Sequence, residues 1–526
     1  MKSILTIKNI NVVYKCVLIT TVFLLLSCDK GFENLNKDPN KTTELIPEYL
    51  FTQAQLSAIG LDYKGEGYRN ANQVMSGWMQ QYANCIVVSG GGDKYTEENG
   101  FNNFSAAYPG PVNDIETLIR ELSDPEEINK LSIARIWRVW VYHRITDLFG
   151  DIPYSEATKG ATDKLYTPKY DEQSFIYMDM LKELDEAANA FDLSLPSFDQ
   201  ADLIYGGEIS KWKKFAYSMM LRLGMRLTKV DNAAAKLWVQ KAIAGGVIVN
   251  DEDVAFVQYL DGSQITSRNP VAFQLLAGNY SNQQDPYNRE GGKIAHKIIN
   301  HLQVTKDPRL NILAVVMVEQ PTGGYFADTT AALQKGLLNG AHSTVPDDFV
   351  TYSEPNPNTV LKYESPMLVL TNCDMNLNLA EAALRGWYPG DAKTAYEDAV
   401  RAGMKQWALW GNYGVIPDER IAAYLAYNPY NENGSFEAQL EQIQTQRWVS
   451  AMFTDEWEIF ANWRRTGYPE LVPVNYPGNL TGGTIPRRFI VPYDEERLNG
   501  ENFLDAKARQ GGNNSYTARV WWDVAE

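Results

Sequence analysis

Apolar residues recur at intervals of three and four through several long stretches of the chain, which is the spacing of amphipathic helices. The longest stretch, 126–150, follows Ser123-Asp124-Pro125, which supplies a cap and a first-turn proline, and it ends at Gly150. Further helices are predicted over 47–59, 68–83, 171–191, 209–229, 232–244, 366–386, 391–406 and 435–465. In 171–191 the apolar positions are Phe175, Met178, Leu181, Leu184 and Ala188.

Two pairs of predicted helices are joined by short turns, as in helical hairpins. In 376–403, Ala380 and Ala383 precede the turn WYPGD, and Ala399 and Ala402 follow it. Small side chains at this spacing let two helices approach closely, as in tetratricopeptide-type repeats. The sequence therefore predicts a mostly α architecture, with stacked hairpins at about 126–246 and 366–465.

The helical pattern breaks down in three regions, 60–115, 250–360 and 470–526, where Gly, Asn and Pro are scattered. Within the first of them, VVSGGGDKYTEENG at 87–100 predicts a loop. Loops on a rigid frame are where binding residues concentrate, so we expect the ligand site in the first two regions. Helices and irregular regions together are predicted to form one interwoven unit over 46–526.

The N-terminus has a different pattern, in which three lysines precede the apolar run CVLITTVFLLLS at 16–27. Twelve helical residues span about 18 Å, which is too short for a bilayer core of about 30 Å. This arrangement predicts a signal peptide over 1–27. Its last residues with Cys28 resemble a lipobox, so Cys28 is predicted to be acylated and 28–45 to be a tether. Several acyl chains on one residue anchor a protein stably without a spanning helix.

The net charge of the protein limits the kinds of molecule that it is expected to bind. The 526 residues carry a formal charge of −17, and removal of 1–27 leaves 45 basic against 65 acidic residues. Nucleic-acid binding depends on clustered Lys and Arg, so we expect no nucleic-acid partner. Beyond the export segment only Cys85 and Cys373 remain; they are expected to be small core residues, although a disulfide stays possible.

No constellation of residues indicates catalysis, a metal or a cofactor. The phosphate-loop and nucleophile-elbow motifs do not occur in the sequence. His296 and His301 are five residues apart, which on a helix rotates them about 140° from each other, off a common face. Asp251-Glu252-Asp253 begins like a calcium loop but lacks its glycine. We therefore expect a binding protein without a cofactor and not an enzyme.

Several motifs, in order along most of the mature chain, resemble one family. They are FENLNKDPN at 32–40, TDLFGDIPYSEA at 146–157, DLIYGG at 202–207, KWKKFA at 211–216, RLGMR at 222–226, NWRRTG at 462–467 and IPRRF at 485–489. The family is that of the SusD/RagB-like outer-membrane lipoproteins of Bacteroidetes, in its SusD-like branch. In NWRRTG, arginines behind a tryptophan suggest stacking and buried carboxylate pairs. The arginines of both NWRRTG and IPRRF are expected to be scaffold.

The resemblance implies four tetratricopeptide-like helix pairs beside an irregular, ligand-holding part. It also implies a lipid-anchored protein at the cell surface that captures oligosaccharides and passes them to a TonB-dependent, SusC-like barrel. Three alternatives stay open: a peptide-binding member of the family, a surface carbohydrate-active enzyme, and a structural lid without a ligand.

Sugars present apolar ring faces and a rim of hydroxyls, so a binder needs aromatic planes with polar side chains around them. No family motif carries over to the ligand loops, so candidates follow from loop position alone. They are Tyr68, Arg69, Asn70, Tyr95, Tyr280, Tyr287, Tyr325 and Trp410.

Overall fold

Long helices dominate the computed structural model, which describes residues 45–60, 74–85, 92–96, 103–278, 292–341 and 343–525. The helices of nine or more residues are α1 Pro47–Gly60, α2 Asn113–Glu121, α3 Ile128–Phe149, α4 Gln173–Ala190, α5 Ile209–Arg226, α6 Asn232–Gly245, α7 Pro270–Gly278, α8 His296–Val304, α9 Asn372–Leu384, α10 Ala392–Lys405, α11 Asp418–Tyr427, α12 Phe436–Ser450, α13 Glu456–Thr466 and α14 Gly500–Arg509. Shorter helices are Ser76–Trp78, Asn103–Ala107, Gly160–Asp163, Leu310–Leu313 and Asp494–Leu498. The mostly α prediction is confirmed.

The strands are short and lie between the helices. They are β1 Tyr82–Asn84, β2 Ile152–Pro153, β3 Tyr170–Asp171, β4 Ala255–Gln258, β5 Gly292–Ile294, β6 Ala314–Glu319, β7 Tyr325–Asp328, β8 Glu354–Pro355 and β9 Pro366–Leu370. Two-stranded antiparallel pairings join β1 to β5, β2 to β3 and β4 to β9, and β6 lies between β7 and β8.

The predicted hairpins are present, since α3 packs on α4, α5 on α6 and α9 on α10. Their ends follow local rules: the Asp124 carboxylate accepts from the Glu126 N–H at 2.9 Å, and Gly150 ends α3 at φ 80°. Close packing needs small residues. A Cβ at Gly403 of α10 would lie 2.6 Å from Ser450 Oγ and 2.8 Å from Cys373 Sγ.

Long-range pairing corrects two predicted helices, and a local helix cap corrects a third. The described end of 68–83 is helical only to Trp78 and then forms β1, because β5 pairs with it. The start of 366–386 is β9, paired with β4. The predicted helix 435–465 is broken between α12 and α13, where the side chain of Asp455 caps the second helix.

One predicted apolar face is only partly buried. Leu181, Leu184 and Ala188 of α4 lie in the core, whereas Phe175 and Met178 are exposed. Within the described residues, no helix combines the length and apolarity needed to cross a bilayer.

Buried arginines cross-link the two groups of hairpins. Arg222 of α5 donates to Asp374 of α9 at 2.8 Å, and Arg226 donates to Glu458 of α13 at 2.5 Å. Arg465 of α13 forms a two-pronged pair with Glu381 of α9, with both distances 2.6 Å.

The arginines of NWRRTG and IPRRF have the scaffold environment that was predicted for them. Arg464 lies over the ring of Trp522 at 4.5 Å, and Arg487 lies over Trp463 at 4.8 Å and pairs with Asp523. Arg488 is buried and donates to Gln510 at 2.9 Å. These contacts confirm aromatic stacking and carboxylate pairing.

Candidate functional site

Segments from the first two irregular regions meet at the pairing of β1 with β5. Tyr82 lies opposite Ile294 and Asn84 opposite Gly292. Directly after β5, the N–H of His296 donates to the Leu337 carbonyl at 2.8 Å and holds the segment after Leu337 beside the start of α8. Parts of the chain that are far apart in sequence therefore form one surface.

Residues 472–477 complete this surface. The Gln80 side-chain amide donates to the Val472 carbonyl, and the Leu480 N–H donates to the Tyr95 carbonyl at 2.8 Å. The resulting depression, here named the loop groove, has a volume of about 680 Å³. Ligand sites usually measure about 300–1,000 Å³, so its size fits a small ligand or part of a longer one. It is lined by Gln80, His296, Lys297, residues 338–341, Ser343 and residues 472–477.

A buried ion pair supports the loop groove. Asp93 accepts from the Gly340 N–H at 2.9 Å and lies 3.3 Å from the ammonium of Lys94. That ammonium lies 5.6 Å from the centre of the Tyr476 ring. Burial raises the pKa of Asp93, while Lys94 opposes that rise. A Cβ at Gly77 would lie 2.6 Å from the Asp93 nitrogen, so glycine is needed for this close approach.

The loop groove combines apolar and polar side chains. Leu338 and Val472 are exposed, and the ring of Tyr476 is half-buried. Lys297 and Asn475 add an ammonium and an amide. Apolar surfaces suit the C–H faces of pyranose rings, and the polar groups suit their hydroxyls. The groove therefore has the chemistry of a saccharide site.

Three of the predicted ligand residues are described, and the structure does not bring them together. Tyr95 is only 2 % exposed, and its hydroxyl accepts from the Val474 N–H at 3.4 Å. Burial raises its pKa. Its ring thus supports a wall of the loop groove, which corrects the expectation of an exposed plane.

The other two described candidates lie outside the loop groove. Trp410 is 7 % exposed and packs on Trp407 with 4.5 Å between ring centres, so it also lacks an exposed plane. Tyr325 is half-buried in β7, opposite Glu319 of β6. The remaining candidates, together with Cys28, lie outside the described residues: Tyr68, Arg69, Asn70, Tyr280 and Tyr287.

Sequence reasoning did not select Tyr476, because residues 470–526 lie outside the two irregular regions in which the ligand site was expected. The available signal was an aromatic residue between prolines and glycines in PVNYPGN, the same kind of position that selected Tyr95. Local sequence does not distinguish a buried loop tyrosine from one at a groove.

The titratable residues whose side chains could bind a metal lie apart from one another. His301 is half-buried and stands edge-on to Trp448 at 5.8 Å; burial lowers its pKa to about 4. Cys85 and Cys373 are buried thiols, as expected of core residues, and burial raises the pKa of both. Among the described residues, no group of three or more His, Cys, Asp or Glu side chains is arranged to hold a metal ion.

Comparison with known proteins places this geometry in a family. The family model described as "Starch-binding associating with outer membrane", SusD-like, matches residues 39–492. The chain belongs to the SusD-like family. A solved structure of a chitin-binding protein is 31% identical and has a TM-score of 0.77, with 91% of this chain and 100% of that chain covered.

Other SusD-like structures share the fold. One named "Bacteroidetes AC2a SusD-like" is 26% identical with a TM-score of 0.79 and covers 91% of this chain and 100% of its own. A chitin-binding SusD homolog from Flavobacterium johnsoniae is 23% identical with a TM-score of 0.74, covering 90% and 99%. None of the curated proteins compared with the chain matches it. The SusD-like helical architecture and the association of the family with starch and the outer membrane are therefore established.

Proposed function

We propose that this SusD-like protein captures oligosaccharides in the loop groove at the cell surface and delivers them to a TonB-dependent, SusC-like barrel without altering them. The observation that carries the proposal is a groove with Tyr476, exposed aliphatic side chains and polar groups, in a member of a starch-binding family. Two similar structures are named as chitin-binding, so oligomers of N-acetylglucosamine are the first ligands to test.

Calorimetry with the soluble mature chain tests the binding role. We expect saturable binding of starch or chitin oligosaccharides and no cleavage products. Truncation of an aromatic contact residue commonly costs more than about 1 kcal/mol, so Tyr476→Ala should weaken binding at least about fivefold. Tyr166→Ala is the matched control, because Tyr166 is 76 % exposed and does not line the loop groove.

Each other outcome points to a different role. Binding of peptides but not of glycans would move the ligand class to peptides. Product formation would indicate an enzyme, and no ligand at all, with stable co-purification of a barrel, would indicate a structural lid. Equal loss of affinity in both tyrosine variants would remove Tyr476 from the site. The predicted ligand residues that remain are Tyr68, Arg69, Asn70, Tyr280, Tyr287 and Tyr325.

The lipid anchor is a separate part of the proposal. Acylation of Cys28 would hold the protein on the outer membrane, because several acyl chains together give stable attachment. Labelled palmitate should enter the wild-type protein but not Cys28→Ser, and the variant should leave the membrane fraction. Retention of Cys28→Ser in that fraction would contradict the anchor and leave the ligand assay unaffected.

A further inference from the structure

A second cavity lies next to the loop groove, among the helices. It has a volume of about 540 Å³, and we name it the helix cavity. Residues of α8, α10, α11 and α12 line it, together with Pro469 and Glu470. Its volume is also in the range of ligand sites, about 300–1,000 Å³.

The two cavities are neighbours on the molecule. Lys297, in the first turn of α8, lines both of them. One continuous segment also serves both, since Pro469 and Glu470 line the helix cavity and the residues from Val472 to Pro477 line the loop groove. A chain-like ligand bound in the loop groove can therefore extend past Lys297 into the helix cavity.

Aromatic rings support the wall of the helix cavity. Tyr396, Tyr424 and Trp448 are only 1–3 % exposed, so they support the cavity from behind and present no open ring face, and His301 stands beside Trp448. Hydrogen bonds fix these rings: the Gln446 amide donates to the Tyr424 hydroxyl at 2.6 Å, and the Trp448 indole donates to the Met79 carbonyl at 2.8 Å. A rigid aromatic wall needs no reorganisation on binding.

Amide side chains also line the helix cavity and are held by the protein. Asn428 donates to the Thr305 carbonyl at 2.8 Å, and Gln442 donates to the Pro429 carbonyl at 3.0 Å. Fixed amides offer hydrogen bonds to sugar hydroxyls without reorganisation, as the polar groups of the loop groove do.

Two carboxylates distinguish the helix cavity from the loop groove. Glu441 is half-buried and Glu470 is exposed, and neither forms an ion pair with a described residue. Burial raises the pKa of Glu441, and the nearby charge of Glu470 raises it further, although Lys297 opposes both effects. A cation on the ligand would reduce this repulsion, whereas an anion would increase it.

We propose that the helix cavity holds further units of the saccharide chain bound in the loop groove, and that Glu441 and Glu470 make it prefer units with a protonated amine. The preference thus favours amino sugars over neutral units and disfavours uronic or sulfated units. This inference rests on the proposed function, because it requires that the loop groove binds a saccharide.

Calorimetry with two chito-oligosaccharides of equal length tests it, one fully acetylated and one with a free amine on some units, at mildly acidic pH and low salt. Exposed charge pairs contribute about 0.2–1 kcal/mol, so the amine-bearing oligomer should bind wild type about 1.4- to fivefold more tightly. The double variant Glu441→Gln/Glu470→Gln should lose this preference and keep its affinity for the acetylated oligomer. Glu419→Gln/Glu432→Gln removes the same charge from positions outside the helix cavity and should keep the preference.

Each outcome of this calorimetry experiment either supports or overturns the inference. Tyr476→Ala should weaken both oligomers by a similar factor, because the loop groove serves both. Equal affinity of wild type for the two oligomers, or a preference that survives in Glu441→Gln/Glu470→Gln, would overturn the inference and leave the proposed function standing. Failure of both oligomers and of starch oligomers to bind wild type would overturn the two together. The melting temperature of each variant shows whether it is folded.

Discussion

Glu456, the first residue of α13, is a buried carboxyl group whose removal should change how stability depends on pH. Its side chain is 1 % exposed, and within the described residues neither carboxylate oxygen has a well-formed hydrogen bond, although the backbone N–H groups of Glu456 and Phe453 lie close enough to lower its pKa. A helix N-terminus favours negative charge, but burial dominates here and raises the pKa of Glu456 from 4.5 to about 8. The charge of Asp455 raises it further, and the charge of Arg144 opposes this.

The sign of the effect follows from the raised pKa. The native state holds the proton of Glu456 more tightly than the unfolded state does, so its contribution is complete below pH 4.5 and is lost as the pH rises through about 8. One pKa unit corresponds to about 1.4 kcal/mol, so the loss between pH 5 and pH 9 amounts to at most about 4 kcal/mol. Glu456→Gln keeps the shape of the side chain and cannot ionise, so this loss should disappear in the variant.

Urea unfolding of wild type and Glu456→Gln at pH 5 and pH 9 measures the effect. All other titrating groups are the same in both proteins, so the change in their stability difference between the two pH values isolates residue 456. We expect the variant to gain relative to wild type at pH 9. A stability difference that is the same at both pH values would show that Glu456 is not held protonated and would refute the reasoning.

Two further predictions concern buried side chains. Arg465→Met leaves the buried carboxylate of Glu381 without its two-pronged partner. Urea unfolding should show that this variant is destabilised by about 3–5 kcal/mol. The control Lys182→Met removes an exposed ion pair and should change stability by less than about 1 kcal/mol. Similar losses in both variants would contradict the importance of burial. Trp410→Ala should lower the melting temperature, because a buried ring is lost, and should leave oligosaccharide affinity unchanged; weaker binding by a folded variant would return Trp410 to the ligand site.

Helices were predictable where local chemistry decides the structure. Asp124 caps the short 3-10 helix Pro125–Glu127 that leads into α3, and Gly150 ends α3, because capping and a positive φ depend on a few neighbouring residues. The sequence of β1 has a helical pattern as well, and only the distant partner β5 makes it a strand. Pairing between residues more than two hundred positions apart leaves no local signal, so this part of the fold could not be predicted.

The candidate site was predictable as a region more than as a set of residues. The irregular regions 60–115 and 250–360 do supply part of the loop groove, through Gln80, Lys297 and their neighbours. Tyr95 follows the glycine-rich stretch SGGGDK and Tyr476 lies in PVNYPGN; both are loop positions, yet the first is buried and the second lines the loop groove. The hydroxyl and the carbonyl of Tyr95 accept hydrogen bonds from the backbone N–H groups of Val474 and Leu480, a pairing of distant segments that only the folded chain reveals.

The ionic cross-links between the hairpins have a consequence for biosynthesis. Among the described residues, the carboxylates that pair with Arg222 belong to Asp374, Asp455 and Glu458, at least 152 positions further along the chain. A ribosome delivers these acids last, and a buried guanidinium without a counter-charge is strongly unfavourable. We therefore expect the nascent N-terminal half to stay open until the C-terminal half emerges.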